Sequence, residues 1–123
     1  AAVEYSDLVL VPCTPDIEAY EQLPRTARLA RSSEKPAAAV LTMAQPNSRA
    51  EEDIARQVFE TVKLPMVPAV IHRFKVHRDA SREGLTAFEI DPEGKAAAEL
   101  QALWDWVSAE LQLSTNAVVH KRA

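Results

Sequence analysis

The sequence predicts an α/β fold, a parallel sheet flanked by helices, from three observations. Apolar runs of strand length alternate with segments of helical periodicity. The runs at 7–12, 37–43 and 66–71 are nearly continuous, the pattern of strands covered on both faces. The segments between them are long enough for right-handed crossovers with helices on both sides of the sheet.

In chain order, Asp7-Leu-Val-Leu-Val-Pro12 reads as the first strand, closed by proline. Residues 16–31 read as a helix with Ile17, Tyr20, Leu23, Ala27 and Ala30 on one face, bent or split at Pro24. SSEKP turns the chain into the second strand, AAAVLTM. After QPNS, Ser48 and Glu51 have capping-box spacing for a helix through about Thr61, whose inward face is Ile54, Val58, Phe59 and Val62. MVPAVI is the third strand, with Pro68 marking an edge or a bulge.

A short helix then ends near Gly84, a natural left-handed stop. LTAFEID reads as a brief extended piece, and Asp91-Pro92 as the cap and first position of the last helix. That helix places Ala96, Leu100, Leu103, Trp104, Val107 and Leu111 on one side, with Trp104 in the core. Trp106 points elsewhere, toward a partner, toward the missing half of a larger fold, or partly to solvent. Residues 1–113 thus form one α/β unit and 114–123 a polar tail. Three strands make a small sheet with open edges, which reads as part of a larger one.

Composition narrows the function classes. A chain of 123 residues that is 47% hydrophobic and 26% charged can bury a core as one domain. No apolar run approaches the ~18 residues of a membrane span, and no basic-then-apolar leader opens the sequence. Cys13 is the single cysteine, so no internal disulfide forms and a reducing cytoplasm suits the chain. A net charge of -4 argues against coating nucleic acid with the whole surface but leaves room for a local basic patch. Gly84 and Gly94 are the only glycines. A loop that cradles phosphates needs clustered glycines, so this chain is not a complete P-loop enzyme by itself.

Residues 70–84, VIHRFKVHRDASREG, gather positive charge just past a strand. One reading is a solvated helix face, partly paired with Asp79 and Glu83. The other is a surface for phosphate backbones, with weak, salt-sensitive, sequence-blind contacts. Cys13 has no identifiable base and reads as a packed core thiol. His72, His77 and His120 lack zinc spacing, so no metal is expected in this chain. Glu51, Glu52 and Asp53 open a helix, where the dipole favours negative charge, and carry no acid–base assignment.

Five stretches taken together carry a resemblance: AAVEYSDLVLVPCTP at 1–15, AVLTM at 39–43, VIHR at 70–73, Gly84, and DPEGKAAAEL at 91–100. Their order and spacing resemble the C-terminal half of ParA/MinD-like deviant Walker ATPases, and more closely the ParA-type branch for plasmid and chromosome partition. The resemblance implies the C-terminal part of a P-loop NTPase-like fold, with the phosphate loop, magnesium-binding and switch segments expected before Ala1. It implies an adenine-side nucleotide site at Thr42, Met43, His72, Arg73 and Lys75, and DNA contacts at Arg49, Arg73, Lys75 and Arg78. Arg49 is offset from the family's arginine, and His72 stands where the family has proline.

The complete protein would use ATP/ADP and Mg, form a homodimer and bind nonspecific DNA. It would answer to a ParB-like centromere-binding partner in the cytoplasm, at the bacterial nucleoid. This chain alone would hold no nucleotide tightly, contribute no catalytic residue and hydrolyse no ATP. Two alternatives stand beside this reading. One is a non-catalytic α/β dimerisation or scaffold module. The other is a MinD-like positioning ATPase, whose membrane-binding amphipathic C-terminal helix the short, polar STNAVVHKRA does not resemble.

Overall fold

A computed structural model of the chain describes residues 7–122, with side chains through residue 112. The element order is β1 (Val9–Cys13), α1 (Ile17–Ser32), β2 (Ala37–Leu41), α2 (Arg49–Thr61), α3 (Lys75–Arg82), α4 (Ala87–Ile90) and α5 (Lys95–Arg122). The fold is α/β. β1 and β2 pair in parallel, in register from Val9↔Ala37 to Cys13↔Leu41. Asp16 caps α1 by accepting the Ala19 N–H at 2.8 Å. α1 is one continuous helix through Pro24, which lies on its exposed side.

The third expected strand is present only in part. Residues 66–72 run parallel beside β2, bridged at Ala39↔Met66 and Ala44↔His72. Val67 N–H donates to Ala39 O at 2.8 Å, and the next rung is Ile71 N–H to Leu41 O at 3.0 Å. β2 therefore advances from Ala39 to Leu41 while its neighbour advances from Val67 to Ile71, and the surplus residues bulge out. Pro68 sits in that bulge because it has no N–H to offer the ladder.

Helices pack on both faces of this sheet, on one of them only over β2 and its neighbour. On one face Leu23 and Ala27 of α1 and Ala55 and Phe59 of α2 pack on Val11, Cys13, Ala39 and Leu41. On the other, Leu103 and Trp106 of α5 pack on Ala38, Val40 and Val67. The tryptophan expectation is thus reversed: Trp106 meets the sheet, and Trp104 is 63% exposed. Two positions along a helix turn a side chain by about 200°, which exchanges core for solvent. Ile17 and Ile54, both expected inward, are exposed at the ends of their faces, and Ala55 fills the place given to Ile54.

Three local expectations fail because a nearby group takes the partner first. Ser48 is the N-cap of α2 but makes no side-chain cap bond, and the Glu51 carboxylate that would close the box on the Ser48 N–H instead accepts the Gln45 N–H at 2.6 Å. Residues 86–90 are not extended. Thr86 and Glu89 form a reciprocal capping box that starts α4. Asp91 consequently serves as the C-cap of α4, with its N–H on Ala87 O, so Asp91-Pro92 does not open α5. A turn through Gly94 intervenes; a Cβ there would lie 2.3 Å from Asp91 Oδ2. The backbone of α5 continues through most of the segment expected as a tail, whose side chains lie outside the described residues. Gly84, at φ +70, ends the turn after α3 as expected.

Candidate functional site

At the C-terminal ends of β2 and of the segment paired beside it, residues of both strands' loops and of α3 line a cavity of about 870 Å³. A one-residue backbone bulge shapes its rim. Thr42 N–H completes the β1 ladder on Cys13 O at 2.9 Å, and Ala44 N–H resumes bonding on Ile71 O at 3.3 Å. Met43, between them, is pushed out of the ladder into the left-handed region at φ 55. Such a conformation costs a side-chain-bearing residue of order 1 kcal/mol, and such residues cluster at ligand sites. Arg73 N–H then donates to Ala44 O at 2.7 Å, which ties the next loop to the same bulge.

Thr42, Met43, His72, Arg73 and Lys75, the residues marked for a nucleotide, all line this cavity, with Ile71, Phe74 and Leu100 supplying apolar wall. Of the residues marked for DNA, Arg73, Lys75 and Arg78 line it too, whereas Arg49 is exposed at the start of α2 and does not. Arg73, Lys75, Arg78 and Arg82 pair with no carboxylate among the described residues, so the expected partners Asp79 and Glu83 do not neutralise them. No side chain caps the N-terminus of α3, and its dipole adds positive potential beside Lys75. An apolar wall with several unneutralised cations suits a flat, partly anionic ligand.

His72 is the fixed point of the rim. Its Nδ1 lies 2.5 Å from Glu99 Oε2 and its Nε2 lies 3.0 Å from Glu52 Oε1, while its backbone N–H donates to Glu99 Oε1 at 2.9 Å. Burial by itself lowers the imidazole's pKa, but hydrogen bonds and charge from Glu99 and then Glu52 outweigh it and raise the value above 6.5. Neither glutamate was marked as a site residue from the sequence. Glu52 reads there as one of three acids at a helix start, and Glu99 as part of DPEGKAAAEL. The one signal was His72 itself: a histidine at the end of a buried run needs polar partners. Also on the cavity wall, Nε2 of His77 is buried without a hydrogen-bond partner among the described residues.

A second groove of about 450 Å³ follows the edge of β1 that pairs with no other strand among the described residues, between Leu10, Pro12, Leu23 and Leu29. Its thiol is held protonated: burial, and then the nearby Asp16 charge, push Cys13 up to about 11. Among the described residues, no group of three His, Cys, Asp or Glu side chains could hold a metal ion, and no helix is long and apolar enough to cross a membrane. Comparison with models of known protein families and with curated proteins finds no match for this chain.

Proposed function

We propose that this chain supplies the adenine side of a nucleotide site in a ParA-like DNA-partition ATPase, the C-terminal part of a P-loop NTPase-like fold. The carrying observation is that Thr42, Met43, His72, Arg73 and Lys75 share one cavity at the C-terminal ends of parallel strands. Open α/β sheets bind ligands at that end, where the strands' loops diverge. In this reading Met43, Phe74 and Leu100 flank the base, and Arg73 and Lys75 face the ribose and phosphates. Phosphate gripping, Mg binding and hydrolysis belong to the other half of such a protein, so this chain binds nucleotide weakly and turns none over. Arg78, and outside the cavity Arg82, then remain for nonspecific DNA, together with dimerisation, a ParB-like partner and nucleoid association in the complete protein.

A non-catalytic dimerisation module is the second reading, favoured by the open edge of β1 and the exposed Leu10 and Leu29 beside it. Titration of ADP into the ¹⁵N-labelled chain separates the two. The first reading expects saturable shifts at the amides of Thr42, Met43, Arg73 and Lys75; amides that stay still with ADP would reject it in favour of the module. For DNA, Arg78→Glu with Arg82→Glu should weaken retention of a random duplex and flatten its salt dependence by about one unit of slope per lost contact.

A further inference from the structure

We propose that His72 is a positioning residue for this site: its imidazolium, clasped between Glu52 of α2 and Glu99 of α5, fixes the loop that presents Arg73 and Lys75 to the cavity. The proposal follows from counting donors. Carboxylates only accept, and a neutral imidazole has a single N–H. Both ring nitrogens lie within hydrogen-bond distance of a carboxylate oxygen, 2.5 Å for Glu99 and 3.0 Å for Glu52. Satisfying both contacts therefore requires N–H on both nitrogens. The cluster is sheltered, with side chains 19% exposed for His72 and Glu99, so water competes poorly for these bonds.

The geometry links three otherwise separate elements. Glu99 also accepts the backbone N–H of His72 at 2.9 Å, so α5 holds both the ring and the main chain. The next residue, Arg73, is bonded through its N–H to Ala44 O, and α3 follows directly. Around His72, the charged groups facing it are Glu52 from α2 and Glu99 from α5. Arg73, Lys75, His77 and Arg78 from its own loop and α3 line the adjoining cavity. With the proton, one positive charge answers two negative ones. Without it, one carboxylate loses its donor, and the pair attracts the cavity's cations away from a ligand.

The direction of the pH effect is set by the raised folded-state pKa. The clasp is complete below pH 6.5, the ordinary histidine value, and is lost as pH rises through the higher folded value. The consequence for nucleotide rests on the reading above, whereas the clasp does not. The test is an NMR titration of the full 123-residue chain, following the His72 ring nitrogens and the amides of Arg73 and Lys75. The expected result is a doubly protonated ring at pH 6 and a midpoint above 6.5 that falls in Glu52→Gln and in Glu99→Gln, with both amides shifting at the His72 midpoint. A midpoint at or below 6.5, or Arg73 and Lys75 amides that ignore the His72 titration, would overturn the proposal.

A second arm uses ADP. Its affinity should fall severalfold as pH rises through the His72 midpoint, beyond any fall that persists in His72→Gln. Identical pH profiles for the two proteins would remove the positioning role. If ADP binds at no pH, the nucleotide reading falls, and the ring and amide titrations still decide the clasp.

Discussion

β1 and β2 are paired apolar strands of five residues each, yet β2 is buried from Ala38 to Leu41 and β1 only on alternate residues. Partners in a parallel pair project to the same face, so Leu10 and Pro12 share a face with Ala38 and Val40. α5 lies over that face only where β2 and Val67 are, and Leu10 and Pro12 are left open beside the groove. The continuous apolar character of 7–12, read as a strand covered on both sides, therefore describes what the strand could bury, not what this chain covers. The same asymmetry locates the candidate site. It forms at the β2 end, where α2 and α5 both reach the adjoining segment and supply Glu52 and Glu99 to one histidine.

The largest effect should come from trading the two strands' leucines. Leu41→Ala, at 0% exposure, is expected to cost about 2–5 kcal/mol in urea unfolding, whereas Leu10→Ala, at 36%, should cost about 1 kcal/mol or less. Equal losses would mean that the open face of β1 is covered in solution and would erase the comparison. Next, the two faces of β1 can be read by thiol chemistry. With a pKa of about 11 against 9.0 for an ordinary thiol, Cys13 should be alkylated about 100-fold more slowly in the native chain than in urea at pH 8. A Leu10→Cys substitution should place a thiol of ordinary reactivity on the open face.

The smallest contrast tests the helix that makes the difference. Trp106→Ala should lower stability by about 2 kcal/mol, since its ring packs on Ala38, Val40 and Val67, while Trp104→Ala should stay within about 0.5 kcal/mol. The reverse ranking would mean that α5 presents its other side to the sheet.

Much of the local architecture follows from short patterns. The helix expected from about residue 16 begins there, Gly84 supplies a left-handed stop, and Pro68 sits in the bulge expected of a proline beside a ladder. Each depends on groups within a few residues, so one-dimensional spacing is enough to read it. The patterns that misled were those with competition. Ser48 had the right spacing from Glu51, but Gln45 N–H took the carboxylate. Asp91-Pro92 looked like a helix opening until the Thr86–Glu89 box claimed the preceding turn.

By itself, then, the amino-acid order determined the parallel α/β character, the two paired strands and the grouping of cations after residue 71, because periodicity, proline and charge act locally. Only the tertiary structure decided that β1 keeps an open face, that Trp106 rather than Trp104 meets the sheet, and that those cations stand without acidic partners among the described residues. It also decided where His72 finds its carboxylates, 20 and 27 residues away along the chain. No spacing rule reaches that far: a pairing between distant residues exists only once packing of the helices against the sheet has made it cheaper than solvation by water.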